Sequence, residues 1–402
     1  MNIIVFLNLS INYLFFLLGV LLPFSVFSTD VIILLIVFFW LLKHNKNFFL
    51  QLVQNKWFIS ILFFNIIYIL GLFWGDNHQD SWYVIKSNLL FFCIPIFYTS
   101  EIKKKYIFYS FIGLCFSMFL SSIYGIFEYY EIIPHYFFRI YQNADLVALL
   151  NYRDHNIFLS FCIIICGLYY YKEYKLKSKS NFRYILLFMI LTFIFSLFIE
   201  RGRMGQFNFI LMFLFFSVFF RRAKHVLFTL VGLILLLLIN YNINYTFQQR
   251  INSTINNIKL IKSDINTSDN QRWYFVRTSL ELIKRKPVLG HGTGSFINTF
   301  SKHSLTSRGF IERGHKTPHN YYLYVLFELG VLGFLFLFLF FYYQLYFHIK
   351  YKNKLAIYFC VIPFLLMCIG DSYLISHNSL ILYIYLSFIL TKLNINSFYS
   401  FR

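Results

Sequence analysis

Long runs of apolar residues separated by short polar breaks recur along this chain, and most of the runs approach twenty residues. A helix rising 1.5 Å per residue needs about 20 such residues to cross a ~30 Å hydrocarbon layer. The runs are continuous instead of alternating, which predicts helices and not barrel strands. Taken in order they predict spans near 3–22, 30–42, 57–74, 83–99, 107–127, 154–171, 184–199, 204–220, 225–243, 319–347, 355–370 and 378–392. The expected fold is therefore an all-α integral membrane protein with about twelve transmembrane helices. Three parts follow: helices one to nine in 1–243, a large polar loop in 244–318, and helices ten to twelve in 319–402.

The breaks alternate in charge. One set holds Lys43, Lys46 and Lys56, Lys103–Lys105, Lys172 to Arg183, Arg221 to Lys224, and Lys350 to Lys354. The other set, Ser25–Thr29, Gly75–Ser81 and Asp371–His377, has no Lys or Arg. Positive short loops stay cytoplasmic, which places both termini in the cytoplasm and the 244–318 loop outside. That loop carries twelve Lys or Arg against four Asp or Glu, but segments longer than roughly 60 residues escape the rule. Met1 to Leu22 has no basic leader and no convincing cleavage site, and reads as a retained helix.

Composition sharpens this picture. Hydrophobic residues make up 59% and charged residues 13%, against about 25% charged in an ordinary soluble domain. The formal charge of +20 raises nucleic-acid binding, yet its scatter in clusters between spans is the pattern of membrane topology, and no nucleic-acid partner is expected. All six cysteines fall in apolar runs without a CxxC pair, so they read as packing residues. No metal site is expected. No heptad, tandem repeat or inverted repeat is visible, which weighs against a transporter.

Ionisable residues at the outer ends of spans are functional candidates. They are Lys86, Arg139, Arg153, Asp154, Glu200, Arg201, Arg203 and Asp371. Snorkelling to the interface suits Arg139 and Arg153. Three stretches converge on that face. In Glu200-Arg201-Gly202-Arg203-Met204-Gly205, two glycines flank Arg203 and permit a sharp reversal, and a guanidinium suits phosphate oxygens. The blander alternative is an arginine paired with Glu200. In the second, Ser268 to Trp273 leads into an amphipathic helix marked by Phe275, Ser279, Leu282 and Ile283, closed by Lys284 to Pro287. Gly290-His291-Gly292-Thr293-Gly294 follows, whose amides could approach an anion or form a plain turn. No strand precedes it, so it is neither a P-loop nor a dinucleotide fingerprint. In the third, Pro318 breaks the chain before His319-Asn320, placing His319 in the first turn of the tenth helix. There the dipole favours the neutral imidazole, the form that accepts a proton from a hydroxyl. An interfacial histidine bonded to backbone is the structural alternative.

In this order and topology the three stretches resemble the O-antigen ligase and polymerase family of bacterial inner-membrane glycosyltransferases. Arg272 stands fifteen residues before Pro287; then come Pro-Val-Leu-Gly-His-Gly-Thr-Gly-Ser-Phe, Pro-His-Asn-Tyr-Tyr-Leu and Glu-Leu-Gly-Val-Leu-Gly. The family pattern runs Arg, Pro-Leu-x-Gly-x-Gly, His-Asn-x-x-Leu, then Gly-Leu-Leu-Gly. Arg203 fits the family's Gly-Arg-x-Gly form, with Arg201 as a substitute. The N-terminal half matches in hydropathy alone.

The resemblance implies a GT-C-like fold with a periplasmic active site and a donor glycan on undecaprenyl diphosphate. It implies neither metal nor nucleotide sugar, and no Asp-x-Asp motif occurs. Arg203, Arg272 and Arg201 would then bind diphosphate and His319 would act on the acceptor hydroxyl of the lipid A core. His315, Asn320, His291, Gly292 and Gly294 are accessory candidates. Arg277, Lys284–Lys286, Arg308, Arg313 and Lys316 face anionic membrane lipids, a phosphorylated core or simply water. Ligase activity is the leading expectation. A polymerase of repeat units, transfer to protein hydroxyls, or, from another class, a lipid-linked-sugar flippase are the alternatives.

Overall fold

A computed structural model describes residues 3–76, 78–133, 146–147, 150–175, 181–200, 202–219, 223–259, 268–312 and 314–393. Helices occupy all twelve expected positions. Among the described residues, eight helices are long and apolar enough to cross a membrane: Ile3–Leu21, Val26–Lys43, Lys56–Trp74, Asp80–Thr99, Lys104–Tyr129, Tyr152–Lys175, Phe182–Ile199 and Tyr321–Lys350. A ninth candidate is the pair Leu230–Ile243 and Phe247–Ser253, bent by 102°. The apolar segments Arg203–Phe216 and Lys354–Gly370 are shorter. So is His377–Lys392, for a physical reason: Leu380 to Leu390 are buried all round, so this helix is solvated by protein and not by lipid. The chain is thus a multi-pass helical membrane protein.

Close packing rests on small residues, which let helix backbones approach where lipid offers no hydrophobic drive. Gly19 on Ile3–Leu21 faces the Ser110 carbonyl, and Gly113 faces Val20. Ser110 Oγ donates to the Phe15 carbonyl at 2.7 Å and meets the Tyr385 hydroxyl at 2.7 Å. Phe15 stacks on Tyr385, with centroids 5.4 Å apart. These contacts tie Ile3–Leu21 and Lys104–Tyr129 to the central His377–Lys392 helix. The free thiols of Cys115 and Cys166 meet at 3.5 Å, which agrees with their reading as packing groups.

Polar contacts gather at the two ends of the bundle. At one end Lys43 pairs with Glu101 at 3.3 Å and Asn12 accepts from the Lys103 amide. At the other, Asp30 pairs with His377 at 2.6 Å and Lys86 at 3.2 Å, and the Asp154 carboxylate accepts from Ser376 and Ser379. The 244–318 loop packs on this second end. It is itself helical, with Tyr245–Lys259, Ser268–Ile283, Phe296–His303 and Leu305–Glu312.

The long Tyr321–Lys350 helix breaks at Gly330, which lies at φ 63°, ψ −162°. The Gly290–Gly294 run plugs the break. The amides of His291 and Gly292 donate to the Phe327 and Glu328 carbonyls at 2.9 and 2.8 Å. In return Val331 and Leu332 donate to the Pro287 and Val288 carbonyls at 2.9 and 3.2 Å. Four backbone groups freed at the kink are thereby paired within the protein, the condition under which broken helices survive at membrane depth. Thr293 extends the plug to the N-terminal half, donating its amide to Gly71 and its hydroxyl to the Tyr68 carbonyl.

Candidate active site

His319 lies immediately outside the tenth helix, not in its first turn as the sequence predicts. Asn320 is the N-cap, its side chain accepting from the Leu323 amide at 3.0 Å. Asn320 satisfies a helix-end donor that no backbone carbonyl can reach. His319 itself takes a left-handed conformation, φ 51°. Non-glycine residues there cost on the order of 1–3 kcal/mol and cluster at functional sites. The turn aims the imidazole back across the mouth of the bundle.

Both imidazole nitrogens are engaged. Nδ1 lies 3.1 Å from Asp371 Oδ1 and Nε2 lies 3.0 Å from His315 Nδ1. A carboxylate only accepts, so His319 Nδ1 carries the proton it gives to Asp371. Asp371 caps the end of Ile362–Gly370 and also accepts from the Ser372 amide at 2.8 Å. Arg153, from the start of Tyr152–Lys175, approaches its other oxygen at 3.5 Å. Burial alone would raise the Asp371 carboxyl. The His319 hydrogen bond and charge, together with Arg153, outweigh it and hold the group below the usual carboxylate range. Arg153 therefore does not snorkel: it holds one oxygen of the carboxylate that orients the histidine.

Phe275 touches both histidines, its ring 5.5 Å from His315 and 5.5 Å from His319. Arg272 sits three residues earlier on the same helix, hence on the same face. It is exposed, and its charge reaches Tyr373, just beyond Asp371. Arg203, also exposed, opens Arg203–Phe219. Its neighbour Met204 packs on Gly370, where an added methyl would lie 2.7 Å from Met204 Cε. Gly202 and Gly205 both press on Asn156, leaving no room for a side chain. These glycines dock the Arg motif against the first turns of the helix that supplies Arg153. Arg201, Arg139 and Arg313 lie outside the described residues.

Glu200 belongs to a different arrangement. It is buried, paired with His155 Nδ1 at 2.8 Å, and accepts from Ser196 at 3.0 Å. With its amide turned, Asn156 donates to Glu200 at 3.0 Å and accepts from the Gly202 amide at 2.7 Å. This network braces the turn that presents Arg203.

The accessory candidates divide. His315 joins His319. His291 does not: its Nε2 bonds the Leu282 carbonyl at 3.0 Å, and its ring stacks on Phe327 at 4.7 Å. Burial lowers its pKa. The amides of residues 291–294 all donate within the protein, the last to Glu328 Oε1 at 3.0 Å. Gly292 and Gly294 thus lock the helix break, and the anion-cradle reading gives way to packing. Among the other basic candidates, Arg277 pairs with Glu281 at 3.1 Å on the exposed surface. Asp371 was visible in sequence as an ionisable group at a span end. It is also the last acidic residue after Glu328, the one signal that sets it apart. Its partnership with His319 had no local signature. No cluster of metal-ligating side chains occurs among the described residues.

The helical bundle and the charged site at one of its ends define a polytopic membrane protein with a histidine–carboxylate centre flanked by arginines. Residues 187–338 match the family model described as O-antigen ligase, so this part of the chain carries that family's domain, as the motifs predicted. The match runs from Phe182–Ile199 to beyond the Gly330 break and takes in Arg203, Arg272 and His319. Arg153 and Asp371 lie outside it. No curated protein matches the chain.

Proposed function

We propose that this chain is an O-antigen ligase. It transfers a polysaccharide from undecaprenyl diphosphate to a sugar hydroxyl of the lipid A core, at the periplasmic face of the inner membrane. In this reading the chain crosses the membrane twelve times with both termini cytoplasmic, and the 244–318 loop is periplasmic. The observation that carries the proposal is the His319–Asp371–Arg153 array, on the same end of the bundle as Arg203 and Arg272.

The acceptor oxygen attacks the anomeric carbon of the donor sugar as the bond to the diphosphate oxygen breaks, and the electron pair leaves with the diphosphate. Arg203 and Arg272 take up that charge without a metal. Each charge-assisted contact contributes about 1.5–3 kcal/mol, and more where it strengthens in the transition state. The acceptor hydroxyl takes the place of His315 at Nε2 of His319 and gives its proton there, and the resulting imidazolium is stabilised through Nδ1 by Asp371. Attack opposite the departing group inverts the anomeric centre.

His319→Ala is expected to reduce transfer by about 10²–10⁴-fold while the protein still accumulates in the membrane, read from surface glycolipid on gels. Undiminished transfer by this variant would remove the base from the proposal. Deletion of the gene distinguishes the two family activities. Loss of all long chains on the core, with polymer building up on the carrier, marks a ligase; cores bearing one repeat unit mark a polymerase.

A further inference from the structure

A cavity of about 450 Å³ opens beside Asp371 and Arg153. Its volume falls within the ~300–1,000 Å³ of small-molecule sites. Four carboxyl groups line it, from Asp80, Asp154, Glu328 and Asp371, against two cations, Arg153 and Lys316. Arg153 already serves Asp371. Tyr83, Tyr324 and Tyr373 add aromatic surface.

Glu328 is a buried acid on the cavity wall. Its residue is 0% exposed; Oε1 accepts from the Gly294 amide at 3.0 Å, and Tyr324 and the Phe296 backbone also bond the carboxyl group. The two oxygens of a carboxyl offer about four acceptor sites, so one is left for a ligand. A hydroxyl, which both donates and accepts, can pair with this carboxyl in either protonation state. A phosphate would instead meet the Asp80 and Asp154 carboxylates.

We infer that this cavity is the acceptor subsite, and that it takes a sugar ring bearing hydroxyl or amino groups and no phosphate. The inference rests on the glycosyltransferase reading above. The diphosphate of the donor belongs with Arg203 and Arg272, which do not line the cavity. The acceptor ring therefore enters from the acidic side, next to Asp371, the partner of His319. Its hydroxyls bond the Glu328 and Asp80 carboxyl groups, and its C–H faces lie on the tyrosine rings. Phosphates elsewhere on the core remain free to meet the exposed basic residues of the loop.

The test uses the full-length protein in lipid nanodiscs with lipid-linked polysaccharide as donor. The acceptor probes are core glycolipid with and without enzymatic removal of phosphate from the rings. Removing phosphate from the reacting ring is expected to lower the acceptor KM by about tenfold or more for the wild-type protein. Glu328→Gln keeps an oxygen for the Gly294 amide and replaces the second oxygen with an NH₂ group that can only donate. It should raise the KM for the dephosphorylated acceptor several-fold, shrink the discrimination, and leave the donor KM unchanged. Asp80→Asn, nearer the cavity rim, should act in the same direction, and it covers the case in which the Glu328 variant unfolds. Equal or better use of the phosphorylated ring by the wild type overturns the inference, as does a rise in donor KM in place of acceptor KM. Absence of any His319-dependent transfer with either probe would instead strike the underlying reading.

Discussion

His319 is held through both of its nitrogens, and the two bonds differ in kind. The bond to Asp371 has a fixed direction, because the carboxylate can only accept. The bond to His315 is set by the tautomer: neutral His319, protonated at Nδ1, accepts at Nε2 from His315 Nδ1–H across 3.0 Å, and this bond must be given up when Nε2 takes a proton. Asp371 is held ionised by His319 and Arg153 against the effect of burial. A depressed carboxyl pKa means that its contribution is complete above the ordinary value near 3.8 and is lost only as the pH falls through the depressed one. The Asp371 carboxylate should therefore stay charged throughout the neutral range. Asp371→Asn retains an oxygen for the Nδ1 proton but removes the charge opposite the imidazolium. We expect kcat to fall by about 10²-fold or more with the acceptor KM nearly constant, as measured by steady-state transfer in nanodiscs. An unchanged kcat would reduce Asp371 to a packing group.

The helix break at Gly330 and its plug form one structural unit. A methyl at Gly330 would collide with the Val288 carbonyl, and φ 63° is unfavourable for any side chain. Gly330→Ala should destabilise the protein by more than about 1 kcal/mol, seen as a lowered unfolding temperature in detergent. His291 makes the same unit sensitive to pH. Its ordinary pKa is 6.5; burial lowers it in the folded protein, and the neighbouring Lys286 and Arg285 act in the same direction against the Leu282 hydrogen bond. The unfolded chain then binds the proton more readily than the folded one. Stability from this residue is complete above about pH 6.5 and declines as the pH falls through the folded value. Unfolding temperatures across pH 5 to 8 (roughly the range in which histidine titrates) should fall on the acid side, and His291→Gln should flatten the profile.

At the scale of the whole molecule, orientation is the proposal most open to direct measurement. With the native cysteines buried, Lys316→Cys should react with an impermeant maleimide in intact spheroplasts. Lys103→Cys should react only after permeabilisation. The reverse pattern would place the site in the cytoplasm. The helical elements, and the arginine, glycine and histidine motifs, were legible in sequence because hydropathy and local spacing record them. The assembly of the site was not. Asp371 reaches His319 across 52 residues, His155 reaches Glu200 across 45, and Ser81 reaches the Thr293 carbonyl across 212. Arg153 looked like an interfacial anchor because nothing near it in sequence names its partner. The glycine run looked like an anion cradle because the carbonyls that occupy its amides come from Gly71, Phe327 and Glu328.

The late position of Asp371 has a consequence for biogenesis. A ribosome that has finished the whole 244–318 segment and released His319 has still not made the carboxylate that orients it. Nor has it made Ser376 and Ser379, which hold Asp154. Every nascent chain therefore enters the bilayer without a completed His319–Asp371 pair, and gains it only when its final helical hairpin has been threaded into place.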